Sequence, residues 1–331
     1  MEKIVPPIHI VMTPVRNEAW VLRTFLTATS LWADHIIVAD QMSTDGSRDI
    51  YNEFPKVIVI DNKNPEFNEA ERQAMLVAKA REVAAGRDTL LWGLDADEII
   101  AANAFETDDW QKILTSKQGA VFWFNWALIA PDLRQYQVSS RSYPWCFHDD
   151  GVEPHGNYVR NMHSMRIPYP MDEHDMTFVK DFLVLHLAWV NPFRVAAKRR
   201  FYTFVDWEMN HRSAIPLARS YTISPDTTPY HPLEENMVYT KERDGFNMWD
   251  LVCTDEKHCW MDDYVIERLH RHTQEDTAKL MIWDDSFLED SRLKDPRGWL
   301  IKFVHRYLEI TMNHKNSALV RIMDKILKRM I

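Results

Sequence analysis

The chain has 331 residues, 46% of them hydrophobic and 27% charged, with a formal net charge of −10. That length supports one large domain or two smaller ones around a sizeable core, and the acidic balance excludes a general nucleic-acid binder, which needs a basic footprint. Three cysteines build no disulfide framework, the first residues lack a signal-peptide core, and no stretch reaches the roughly 18 apolar residues of a membrane-spanning helix. The expectation is a cytoplasmic protein, soluble or peripheral on the inner face of a membrane.

Residues 9–12 read as a short β-rich strand stopped by Thr13-Pro14. A helix follows over about 18–31, with Trp20, Val21, Leu22, Phe25 and Leu26 on its apolar side. Residues 35–39 are a second apolar run, ending at Asp40, and Ser43-Thr44-Asp45-Gly46-Ser47 is a capped turn into a short helix near 48–54. Residues 57–60 form a third strand, and 68–85 a long helix rich in Ala and Glu. The apolar run 89–93 is a fourth strand, and Leu94-Asp95-Ala96-Asp97-Glu98 follows it directly. Short apolar strands alternating with helices predict a parallel sheet covered on both faces.

Ligands of such sheets collect at the carboxyl ends of the strands. Here those ends carry residues 13–18, 40–45 and 95–98, so polar groups converge on one edge. Two or three carboxylates at that lip suit a hard divalent cation held against phosphate oxygens, although an isolated Asp-x-Asp is ordinarily a solvated turn. The chain has neither Gly-x-Gly-x-x-Gly after its first strand nor Gly-x-x-x-x-Gly-Lys-Ser/Thr anywhere, which disfavours the dinucleotide and P-loop folds. A metal on the Asp pair is the economical way to hold phosphates without them.

Four segments in this order resemble family-2 glycosyltransferases of the GT-A fold: Thr13-Pro14-Val15-Arg16-Asn17-Glu18, Ile36-Ile37-Val38-Ala39-Asp40-Gln41-Met42-Ser43-Thr44-Asp45-Gly46-Ser47, Phe67-Asn68-Glu69-Ala70-Glu71-Arg72-Gln73 and Leu94-Asp95-Ala96-Asp97-Glu98. The resemblance covers roughly the first hundred residues, and its specificity lies in the order of the four. It implies a nucleotide-sugar donor, a divalent cation (Mn²⁺ or Mg²⁺) and transfer with inversion at the anomeric carbon. It places Pro14, Arg16, Asn17, Glu18, Asp40, Ser43 and Asp45 around the nucleoside, Arg72 near the nucleotide, and Asp95 and Asp97 at ribose and metal. Gln41-Met42 depart from the small or polar residues common after the first Asp, which leaves base recognition open. A UDP-sugar is the donor by family habit. Asp45 also fits a plain turn-forming role.

Residues 119–129 are an aromatic strand in which Trp123 and Trp126 suit either the core or a sugar-stacking platform. Residues 143–161 read as a loop. An inverting transfer needs a carboxylate to take the acceptor hydroxyl's proton; Glu173 is the first candidate, ahead of Asp172 and Asp175, with Asp149 and Asp150 behind them. The apolar run 182–189 holds one histidine, His186, and is followed by Arg194, Lys198, Arg199 and Arg200. This is similar to the histidine and basic helix that close many family members' catalytic domains, and it implies His186 as a metal ligand or diphosphate contact and Arg194, Lys198 or Arg199 at the phosphates.

The resemblance fades beyond about residue 210. The expected organisation is α/β: a GT-A-like catalytic domain over 1–210, with a mostly parallel central sheet flanked by helices, a nucleotide-binding half 1–100 and an acceptor half 101–210. A linker and mainly helical extension follow over 211–331. Residues 214–233, with four prolines, read as extended, Asp295-Pro296 as the start of a helix to about 313, and Asn316 as the opening of a basic amphipathic helix. That helix either packs on the protein or meets an anionic membrane holding a lipid-linked acceptor. The reading is an inverting glycosyltransferase acting on a glycan or lipid-linked acceptor in surface polysaccharide biosynthesis. A sugar-phosphate nucleotidyltransferase would show a Gly-rich phosphate loop near its start, a haloacid-dehalogenase-type phosphotransferase would not place Glu98 after its Asp-x-Asp, and an inactive glycan-binding or scaffold subunit would not need Arg72, Asp95 and Asp97.

Overall fold

The computed structural model describes residues 6–152, 162–169, 176–221, 229–255 and 258–331. The chain runs through β1 (Ile8–Val15), α1 (Ala19–Ser30), β2 (His35–Asp40), α2 (Ser47–Tyr51), β3 (Val57–Asp61), α3 (Glu69–Ala84), β4 (Thr89–Gly93), β5 (Glu98–Ile100), α4 (Asp108–Leu114), β6 (Val121–Ile129), β7 (Gln135–His148), β8 (Met176–Phe178) and β9 (Val184–His186). There follow α5 (Pro192–Asn210), α6 (Ala214–Tyr221), β10 (Tyr230–Pro232), α7 (Lys241–Asp244), α8 (Trp260–Leu269), α9 (Gln274–Ala278), α10 (Asp285–Leu288), α11 (Trp299–Ile310) and α12 (Ala318–Leu327). Two compact units result: residues 1–190 with 230–254, and residues 191–229 with 255–331.

The first unit is α/β, built on one mixed sheet in the order β3-β2-β1-β4-β7-β6-β9-β5, with β10 on β7 and β8 on β6. Strands β3, β2, β1 and β4 are all parallel, while β7 runs antiparallel to both β4 and β6. Side chains alternate across the parallel strands as the period of two demands. Val11, Ile36, Val38, Leu90 and Trp92 pack with Val21, Leu22 and Phe25 of α1 on one face, and Ile10, Met12, Ile37, Ala39 and Leu91 pack with Leu76, Val77 and Ala80 of α3 on the other. Burial on both faces is why these strands are continuous apolar runs.

The register fixes the functional edge. Val15 stands beside Asp40 and Met12 beside Gly93, so the carboxyl ends of β1, β2 and β4 finish together. Asp149, a reserve candidate for the base, lies at the other end: its amide donates to the Thr89 carbonyl at the start of β4 (2.9 Å).

Three local expectations are corrected. Residues 143–148 complete the 14-residue strand β7 instead of opening a loop. Pro144 is tolerated there because it pairs with Trp123 at a register shift, where the ladder needs no donor. Residues 214–221 are helical, with Pro216 in the first turn, where an N–H has no partner within the helix. The helix expected from Asp295 begins at Trp299, and Asp295 instead binds Arg297 (2.8 Å) and Lys302 (3.1 Å).

The second unit is helical. Arg200 of α5, fully buried, is held by Asp262 of α8 (2.7 Å) and by Asp284 (2.8 Å). Around α6, α11 and α12, Ile215, Ala218, Val304, Leu308 and Leu327 form a separate apolar core.

Candidate active site

The loop after β1 and the loop after β2 are stitched to each other. Asn17 has φ +54°, a left-handed conformation that asparagine tolerates. Its amide donates to the Ser43 hydroxyl (2.9 Å), and its side-chain oxygen accepts from the Thr44 amide (2.7 Å). Asp45 accepts the Ala19 amide at the start of α1 (2.8 Å) and both the amide and hydroxyl of Ser47, so it caps two helices at once. Asp40 is fully buried and accepts from the Ser43 amide (3.0 Å), Arg48 Nε (2.9 Å) and the Tyr51 hydroxyl (2.8 Å). Burial, with the Asp40 charge beside it, pushes the Tyr51 phenol far up, so it remains a donor to that carboxylate. Pro14 sits in the β1–β2 ladder, and Arg16 reaches the Pro65 carbonyl at 3.5 Å. Arg72, near the start of α3, is mostly buried, 4.0 Å from Glu69, and its Nε has no hydrogen-bond partner among the described residues.

The acids after β4 are arranged differently. Residues 95–98 form a turn closed by Glu98 N–H to the Asp95 carbonyl (2.9 Å), and the Glu98 carboxylate accepts the Asp95 amide in return (3.0 Å). Glu98 opens β5, which pairs with β9 so that Glu98 faces His186. Trp126 of β6 donates its indole N–H to Glu98 (3.0 Å) and stacks on His186 with ring centroids 4.5 Å apart. His186 Nε2 lies 3.6 Å from an Asp97 oxygen, while its Nδ1 is buried with no partner among the described residues. Ligand atoms of Asp97, Glu98 and His186 all lie within 4.8 Å of one another.

One cation is already present. Arg166 binds Asp95 (2.6 Å) with one guanidinium nitrogen and Glu98 with another. Burial pushes the Glu98 carboxyl up while Arg166 pulls against it. Burial also works against the Arg166 charge, and Asp95 with Glu98 overcome it. Arg166 gets this close because residue 93 is glycine: a Cβ there would fall 2.6 Å from the Arg166 Cβ and 2.9 Å from its carbonyl oxygen.

Two carboxylates and an imidazole are a donor set for a divalent cation. His186 turns Nε2 toward Asp97, and that is the ring nitrogen a cation between them would take.

The description of glycosyl transferase family 2 matches residues 10–182, more than half of the chain. The chain belongs to that family. No curated protein matches it by sequence. Among solved structures it is similar to a mycobacterial protein (18% identity, TM-score 0.28, covering 37% of this chain and 41% of that one). It is also similar to 4-diphosphocytidyl-2C-methyl-D-erythritol synthase (15%, TM-score 0.28, 44% and 76%) and to GalNAc-T7 with UDP, GalNAc and Mn²⁺ (11%, TM-score 0.39, 82% and 58%). The chain thus spans less than two thirds of the first and third of these.

In this family-2 enzyme the structure gathers Asp95, Asp97 and His186, three of the residues singled out from sequence, and adds Glu98, Arg166, Trp126 and Gly93. Glu98 was visible as the third acid of its cluster. Arg166 had no visible signal, because its partners lie 71 and 68 residues earlier. Lys198 stands on α5 in the second unit, where its neighbour Arg199 binds Asp284 (2.9 Å). The base candidates Asp172, Glu173 and Asp175 lie outside the described residues. Asp149 is held by Arg81 through two bonds (2.7 and 3.0 Å), and Asp150 closes a turn onto the Val152 amide.

Proposed function

We propose that this enzyme moves a sugar from a nucleotide-sugar, a UDP-sugar by family habit, onto a glycan or lipid-linked acceptor, with inversion, in surface polysaccharide biosynthesis at the cytoplasmic side of a membrane. The observation that carries the reading is the meeting of Asp97, Glu98 and His186 at the carboxyl edge of the sheet, with ligand atoms of all three within 4.8 Å of one another. Asp97, Asp95 and His186 are the proposed metal residues. A bound Mn²⁺ or Mg²⁺ would neutralise the diphosphate as it leaves.

The remaining roles belong to the chain's own residues. Pro14, Arg16, Asn17, Glu18, Ser43, Asp40 and Asp45 shape the nucleoside pocket, the last two by fixing its loops. Arg72, whose Nε has no partner among the described residues, and Lys198 are the proposed phosphate contacts. Arg166 holds Asp95 and Glu98 in place and supplies a counter-charge to the buried Glu98. The acceptor oxygen forms a bond to the anomeric carbon as the bond to the diphosphate breaks, and a carboxylate, Glu173 ahead of Asp172 and Asp175, takes the hydroxyl proton. A lipid-linked acceptor would bring the enzyme to a membrane through its last helix.

A thermal-shift titration tests the donor and the cation together. UDP should raise the melting temperature by several degrees with Mn²⁺ present and by far less in EDTA. An equal shift in EDTA would remove the metal from the site, and no shift with any nucleoside diphosphate would remove the donor.

A further inference from the structure

Helices α11 and α12 carry more apolar surface than the second unit buries. On α11, Val304 and Leu308 point into the core. Trp299, Phe303 and Ile310, spaced four and seven residues apart, share the opposite side and are 81%, 61% and 63% exposed. On α12, Val320 and Leu327 are buried, whereas Leu319, Ile322 and Ile326, with Met330 just beyond the helix, are exposed by 47% to 78%. The two helices are fixed to each other: the Tyr307 hydroxyl bonds the Val320 carbonyl (3.2 Å) and Asp324 (3.1 Å). A helix apolar on both sides is ordinarily buried on both. Among the described residues nothing covers these stripes, and an exposed apolar surface of this kind marks an interaction site.

The charge around the stripes says what covers them. Residues 298–331 hold seven Lys and Arg against two acids, a net +5 in a chain whose total is −10. Both acids are already neutralised, Glu309 by Arg306 (3.2 Å) and Asp324 by Arg219 (2.8 Å). Arg321, Lys325, Lys328 and Arg329 are exposed and have no carboxylate partner among the described residues. A second copy docking this face on itself would set like charges against each other, which argues against a homodimer. An anionic, flat, apolar-cored surface complements it. No described helix is long and apolar enough to cross a membrane, so the contact lies in the membrane's surface plane.

We propose that the outer faces of α11 and α12 form a docking surface for an anionic lipid bilayer. Trp299 and Phe303 enter the interfacial layer, where aromatic rings are favoured, and the basic residues of α12 lie against lipid phosphates. This goes beyond the transfer reading in naming two helices and their side chains, and rests on it only in expecting a membrane-bound substrate. The test needs no donor and no acceptor, so its failure leaves the transfer reading standing.

The full chain is sedimented with vesicles of phosphatidylcholine and phosphatidylglycerol in equal parts, and separately with phosphatidylcholine alone. Binding should occur to the anionic vesicles, weaken with salt, and fall at least tenfold in Trp299→Ser/Phe303→Ser. Lys325→Gln/Lys328→Gln/Arg329→Gln should lose on the order of a hundredfold, at roughly fivefold for each basic residue near the surface. All five positions are exposed, so both variants should melt as the parent does. Absence of binding by the parent, equal binding to neutral vesicles, or a dimer that the serine pair dissociates would each overturn the proposal.

Discussion

Two strand ends of the same sheet carry clustered acids, and they are used in opposite ways. After β2, the buried Asp40 and the exposed Asp45 give their carboxylates to backbone amides, Ser47, Arg48 and Tyr51. After β4, Asp97 stands beside His186, while Asp95 and Glu98 share one arginine. The first arrangement is complete without a ligand. The second leaves His186 Nδ1 buried with no partner among the described residues. The lesson is that an acid's place at a ligand edge does not give its role; what its oxygens already hold does.

The comparison breaks or sharpens on three substitutions. Asp97→Asn should lower kcat/KM by about a thousandfold, the loss of one charge at the diphosphate end, with the melting temperature unchanged. Activity within a few-fold of the parent would make the β4 acids structural after all. Asp40→Asn should do the reverse and cost about 2 kcal/mol of stability, because an amide cannot accept from Ser43, Arg48 and Tyr51 together. Urea titration reads that cost, and any loss of activity should fall on KM for the donor. Asp45→Ala is the mildest, at about 1 kcal/mol for a lost cap, and serine there should restore most of it. A change in activity with no change in stability at either position would make the β2 loop a direct ligand shell.

Much of the first unit was legible. The runs 35–39, 57–60 and 89–93 are apolar because both faces of a parallel sheet are buried, and no other element fits such short runs between helices. The acid cluster after β4 was visible for the same reason. Residues 143–148 misled because Pro144 reads as a break, and only the partner strand shows that its missing donor falls at a register shift. Residues 214–221 misled in the same way, through a proline that sits harmlessly in a first turn. Arg166 was out of reach for another cause: it reaches Glu98 from a distant loop, and a local pattern holds no trace of a contact across 68 residues. Trp126 stood out only as an aromatic on its strand, and its bond to Glu98, 28 residues earlier, was equally invisible. The outer stripe of α12 could be read, but that of α11 could not, since only the packed structure shows which of two apolar faces is covered.

The contact of Arg166 with Gly93 also sets a timetable. Strands β1 to β4 have all been made before residue 166 leaves the ribosome. At that stage Asp95 and Glu98 have no counter-charge, and their turn gains nothing from ordering. Only when Arg166 closes a loop of 71 residues back onto Asp95 does the buried Glu98 gain its counter-charge. The nucleotide half is thus expected to acquire its shape early and its site late, with one arginine as the last piece.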